Sequence, residues 1–127
     1  MLLLVLLLPS QAELRAYQTW DRLSWEYQLP PLSLTVQKIG NDNEQGLMGG
    51  FDAQGRAVVT ISPTIQYLEK TVVHEAVHTM LRSRGVPYTE SEENLANQFA
   101  YCWLGHRDYI TDKPCSEIIA ELSPSHR

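Results

Sequence analysis

Two cysteines in 127 residues are too few for a disulfide scaffold, and the spacing of Cys102 and Cys115 fits no zinc ribbon. No cluster of Lys or Arg exists, because ten basic side chains face fifteen acidic ones and leave a net charge of −5. Such a chain has nothing with which to follow a phosphate backbone, which sets nucleic acid aside, and its acidity disfavours anionic lipid. There is no apolar run of bilayer length either. Met1 to Leu8 is nearly all leucine, but at about 1.5 Å per residue it is far too short to span a membrane as a helix. No cysteine follows that run to carry a lipid anchor, and no repeat or low-complexity segment follows residue 12. What remains is 43% apolar and 20% charged, the composition of one folded domain with a modest core.

The leucine run and the small residues of Pro9-Ser10-Gln11-Ala12 form a signal-peptide pattern, although no Lys or Arg precedes the leucines. The reading divides the chain into a signal peptide, 1–12, and a domain, 13–127, that is secreted or periplasmic. The alternative is a cytoplasmic protein whose leucine run packs on the domain. Export would place Cys102 and Cys115 in an oxidising compartment. A bridge between them would tie the C-terminal tail to the preceding helix and contribute about 3 kcal/mol in the chain-entropy model. Two unconnected buried thiols are the competing reading.

Ala16, Trp20, Leu23 and Tyr27 recur at helical spacing over Glu13 to Tyr27, before the stop signal Pro30-Pro31. Alternation predicts a strand from Leu32 to Ile39, then a polar loop over Gly40 to Gly46. Gly49 to Asp52 and Arg56 to Ile61 predict a hairpin around Asp52-Ala53-Gln54-Gly55. Ser62-Pro63 is a helix start, with a stop near Gly85 and Pro87. A second helix begins between Thr89 and Ser91, where Thr89 and Glu92 have capping-box spacing, and a short one covers Ser116 to Leu122. These elements predict an α+β domain with helices on a small, mainly antiparallel sheet.

Within the first long helix of that domain stands His74-Glu75-Ala76-Val77-His78. Residues four apart share a helix face, so both imidazoles can reach one metal ion. Glu75 is rotated just off that axis, where it can take a proton from a water activated at zinc without ligating. This is the metallopeptidase chemistry of H-E-x-x-H. The flanks Thr71-Val72-Val73 and Thr79-Met80-Leu81 carry no charge, as a buried active-site helix requires.

A catalytic zinc needs a third protein ligand. A histidine six residues after His78 would complete one known pattern, but that position is Arg84. On the following helix Glu93-Asn94-Leu95-Ala96-Asn97 resembles the E-x-x-[small]-[D/N] motif of the gluzincin metallopeptidases. Its continuation through Phe99 and Ala100 is similar to the A-N-x-F-A of compact ImmA/IrrE-type zincins. The resemblance covers roughly Gly49 to Leu104. It implies a zincin-like fold with an active-site helix and a second ligand-bearing helix. It also implies zinc held by His74, His78 and Glu93, Glu75 as general base, and a peptide or protein substrate. Small Ala96 would let the helices approach, and Asn97 would orient a ligating histidine. Glu92 is the rival ligand, with a helix-N-terminal role as its other reading. In zincins the edge strand that leads into the zinc helix binds extended substrate by strand addition, a role that would fall to Arg56 to Ile61. ImmA/IrrE-type enzymes usually act on cytosolic repressors, and an exported chain would never meet one. Tyr88, Tyr101, His106 and Tyr109 are candidates by type for stabilising an oxyanion, whereas His126 lies in the terminal tail. The runner-up function is a catalytically degenerate zincin acting as a zinc-stabilised binding or regulatory module.

Overall fold

Four apolar side chains at helical spacing organise the core. Ala16, Trp20, Leu23 and Tyr27 are all buried along one stripe of helix α1, Leu2–Tyr27. The structure is a computed structural model that describes residues 2–37, 46–62, 68–105 and 113–123, with backbone only for 2–10, 46 and 47. The helix expected from Glu13 therefore begins at Leu2 and runs through Pro9. Proline removes one backbone hydrogen bond, but leucines before it and Ala12-Glu13-Leu14-Arg15-Ala16 after it are strong helix formers. Trp20 Nε1 donates to the carbonyl of Pro30 at 2.8 Å, which fastens the chain leaving α1 back onto the helix.

Three strands follow: β1 Leu32–Val36, β2 Gly46–Phe51 and β3 Ala57–Ile61. Their spatial order is β1-β3-β2, with β1 parallel to β3 and β2 antiparallel to it. The expectation of a mainly antiparallel sheet is thus corrected to a mixed one. The hairpin is where the sequence places it. Asp52 Oδ1 accepts from the backbone N–H of Gln54 and of Arg56 at 2.9 Å each, and Gly55 supplies a φ of 77° at the turn. Polar residues 40–45 and the end of the predicted first strand lie outside the described residues. A second correction concerns β3, which the family resemblance would make an edge. It is the central strand, paired on both sides over Ala57 to Ile61. Its alternating buried side chains, Ala57, Val59 and Ile61, suit that interior position.

Helix α2, Leu68–Ser83, packs on β2, β3 and α1. Its expected start at Ser62-Pro63 borders residues 63–67, outside the described residues. Its end is at Gly85 as expected. The Gly85 N–H donates to Arg82 O and the Val86 N–H to Leu81 O, the paired bonds of a Schellman cap, with Gly85 at φ 78°. Helix α3, Ser91–Trp103, lies along α2, with Ala96, Phe99 and Ala100 fully buried in the core. Helix α4, Cys115–Leu122, packs on α3 through Ile118 and Leu122. The Cys102–Cys115 disulfide joins the two helices across 5.4 Å between Cα atoms. Tyr27 meets Phe99 edge-on at 5.4 Å, and burial pushes its phenol up to about 12. Among the described residues no helix is long and apolar enough to cross a membrane. The described residues form an α+β domain of four helices and a three-stranded mixed sheet.

Candidate metal centre

The i, i+4 spacing of His74 and His78 places both rings on the face of α2 that meets α3. The uncharged flank residues Val72, Val73, Val77 and Met80 are buried, so this helix is held by the core while its histidines remain partly open. Across from them stands Glu93, in the first turn of α3. Ala96 is fully buried, and this small side chain permits the close helix contact foreseen for it.

His74, His78 and Glu93 come together. His78 Nε2 is 3.1 Å from His74 Nε2, Glu93 Oε1 is 2.9 Å from His74 Nε2, and Glu93 Oε2 is 3.3 Å from His78 Nε2. One ligand atom from each residue lies within 4.8 Å of the other two. The outer nitrogens are engaged elsewhere. His74 Nδ1 donates to Asn97 Oδ1 at 2.9 Å, and His78 Nδ1 donates to Glu92 Oε2. A neutral imidazole that donates from Nδ1 carries its lone pair on Nε2. Two imidazole lone pairs and a carboxylate therefore converge on one point. Electron pairs crowd in this way only around shared positive charge, a proton or a metal cation. A tetrahedral zinc bound at about 2.0–2.1 Å sets its ligand atoms about 3.3 Å apart. The observed spacings are close to that, and the N,N,O donor set suits zinc, so these residues fit the metal.

The electrostatics agree. Burial, and after it the neighbouring His78, pushes His74 below the usual imidazole range. Burial raises the Glu93 carboxyl, but the Tyr88 hydrogen bond and the two imidazoles outweigh it and hold Glu93 below the usual carboxylate range. The Tyr88 hydroxyl donates to Glu93 Oε2 at 2.9 Å, and that bond to a carboxylate pushes the phenol up.

Glu92 makes no side-chain cap, and both its carboxylate oxygens are engaged away from the point where His74, His78 and Glu93 converge. Helix α3 starts after Glu90 with no side-chain cap, and the Thr89 hydroxyl meets Ser91 instead. The Glu92 side chain is only 4% exposed and links His78 Nδ1 to Arg82 Nη2, with one carboxylate oxygen on each. A buried carboxylate finds more stabilisation between an imidazole N–H and a guanidinium than at an exposed helix end. Arg82 also lies 5.8 Å from the Tyr88 ring centre, which ties the connection between α2 and α3 to the centre. The sequence reading passed over Arg82. Its signal was the continuing i+4 series His74, His78, Arg82, which shares one helix face.

Asn97 stands where the motif predicts it, behind His74. Glu75 lies between the two histidines in α2 and is buried, 6% exposed. Of the oxyanion candidates, Tyr88 borders the centre. Tyr101 lies one turn beyond Asn97 and carries the Lys70 ammonium 4.4 Å from its ring centre. His106, Tyr109 and His126 lie outside the described residues. Comparison of the chain with protein-family models, with curated proteins and with solved structures finds no match.

Proposed function

We propose that the chain is a zinc-dependent peptidase whose metal is held by His74, His78 and Glu93. The observation that carries this reading is the convergence of two Nε2 lone pairs and the Glu93 carboxylate at 2.9–3.3 Å. When bound there, zinc would polarise a peptide carbonyl and make water a nucleophile near neutral pH. The chain's own residues supply the rest. Asn97 and Glu92 hold the imidazoles in the tautomer that presents Nε2, and Arg82 balances the Glu92 charge. Glu75 takes a proton from the attacking water and returns it to the leaving amine. Tyr88, 53% exposed beside Glu93, has a hydroxyl to offer a developing oxyanion. Since β3 is central, the strand edge nearest α2 belongs to β2, and an extended substrate would add there. On this reading export removes residues 1–12. Among residues 11–27 the fully buried stripe begins at Ala16, with Ala12 packed against it at the boundary of that cut.

One observation favours a second reading. Glu75 is buried, and a general base shut away from water would leave a zinc-stabilised binding or regulatory module. Glu75→Gln separates the two. Peptide hydrolysis by the zinc-loaded chain, abolished by the substitution while zinc content stays the same, supports the peptidase. Equal turnover with and without the Glu75 carboxylate refutes its role. Zinc bound without any hydrolysis across a broad peptide library leaves the module.

A further inference from the structure

Helices α2 and α3 carry one more pair of side chains on the faces that hold the metal centre. Lys70 precedes His74 by four residues, and Tyr101 follows Asn97 by four. The two meet across the groove, with the Lys70 ammonium 4.4 Å from the centre of the Tyr101 ring. His74 with Asn97 forms the next layer, and His78 with Glu93 the layer after it. One helical turn advances about 6 Å, so this cation stands roughly that far along the groove from the His74 layer. Lys70 and Tyr101 are both partly open to solvent.

The charge of Lys70 is unmatched. Fifteen acidic residues outnumber ten basic ones in the chain, yet among the described residues no carboxylate pairs with Lys70. Its neighbour Glu69 is held by Arg15, and Glu93 is engaged with the two imidazoles and Tyr88. The other cation on this face, Arg82, is bound to Glu92. A ring face attracts an ammonium without neutralising it, so it orients the charge and leaves N–H donors for an anion. A lysine oriented in advance gives up less rotamer freedom when a carboxylate arrives.

We propose that Lys70 determines specificity by taking a carboxylate of the substrate, so that the preferred peptides are acidic near the scissile bond. The inference rests on the peptidase reading of the metal centre. An extended peptide advances about 3.3 Å per residue, which sets the carboxylate about two positions from the bond that is cut. The side chain of Asp or Glu and a free C-terminus offer the same chemistry there.

The test uses the zinc-loaded full-length chain and hexa-alanine peptides capped by acetyl and amide groups, with Glu or Gln placed at each position in turn. Hexa-alanine with a free C-terminus supplies the other carboxylate. At one position the Glu peptide should be cut with a kcat/KM roughly tenfold above its Gln counterpart. The same preference for the free C-terminus alone would assign the carboxylate to the chain end. Lys70→Gln should erase the ratio and Lys70→Arg should keep it. Lys70→Glu should turn the preference toward a peptide with Lys at that position, which a merely structural role could not do. Hydrolysis with equal kcat/KM for the Glu, Gln and free-carboxylate peptides would overturn the proposal and leave the peptidase reading standing, and a Glu preference that survives in Lys70→Gln would overturn it too. No hydrolysis of any peptide would overturn the peptidase reading instead. The ratio is then read from dissociation constants in an NMR titration with the same peptides, where equal constants or no binding would overturn the proposal as well.

Discussion

Helix α3 treats its polar groups differently on its two sides. Toward α2, Asn97 holds His74, Glu92 bridges His78 and Arg82, and Tyr88 braces Glu93. Toward α4, Gln98 lies 7% exposed among the aliphatic side chains of Leu81, Leu95 and Ile118. The first side holds both imidazoles and the Glu93 carboxylate by hydrogen bonds already in place, as a centre of fixed geometry needs, while Arg82 Nε is the one buried side-chain atom without a partner among the described residues. The second side is a surface of aliphatic side chains with Asn94 and Gln98 among them. A polar network and an apolar packing surface thus share one helix of thirteen residues.

The comparison breaks hardest at His78. Substituting His78→Ala should take zinc from one per chain to none, read by elemental mass spectrometry, while the packing of α3 on α4 is kept. Unchanged zinc content would move the metal off this face altogether. Next comes the disulfide. Replacing Cys102 and Cys115 together by serine should cost about 3 kcal/mol in urea denaturation and loosen α4 from α3. Zinc stoichiometry should hold, and its loss would show that the two sides act as one. Glu92→Gln is a finer probe, since it keeps the shape behind His78 but removes the charge. Zinc affinity measured by chelator competition should fall by about tenfold or more, and an unaltered affinity would leave Glu92 a structural partner of Arg82 only.

The smallest effect lies away from both sides. Arg15 and Glu69 form a bidentate pair between α1 and α2, with side chains 57% and 36% exposed. The Arg15 hydrogen bond holds the Glu69 carboxyl below its ordinary value of 4.5. The pair's contribution is therefore complete above that value and lost as pH falls through the folded one. Arg15→Ala should cost about 0.5 kcal/mol near neutrality, and the difference from wild type should fade in acid. A cost that stays constant from neutral pH into acid would assign it to the packing of the arginine stem instead.

Much of the fold was legible because its signals are local. The Ala16–Trp20–Leu23–Tyr27 stripe, the Asp52–Gly55 turn, the Gly85 stop and the last short helix are each written within one or two turns of chain. The convergence of His74, His78 and Glu93 was legible for a similar reason. Four-residue spacing sets two rings on one face, and the Glu93 to Asn97 motif repeats that spacing on the partner helix. Glu92 stands in the first turn of α3 as expected, but the side-chain cap expected from its spacing to Thr89 is not formed. Its actual partners, His78 and Arg82, lie fourteen and ten residues away.

The sequence by itself determined the helix faces, the hairpin and which three side chains converge between α2 and α3, since each follows from periodicity over a few bonds. Only the tertiary structure decided that β3 is central, that Glu92 turns inward, and that Arg82 Nε is buried without a partner among the described residues. Strand order and burial depend on which distant segments meet. Those meetings are set by the packing of the whole core, which no local pattern encodes.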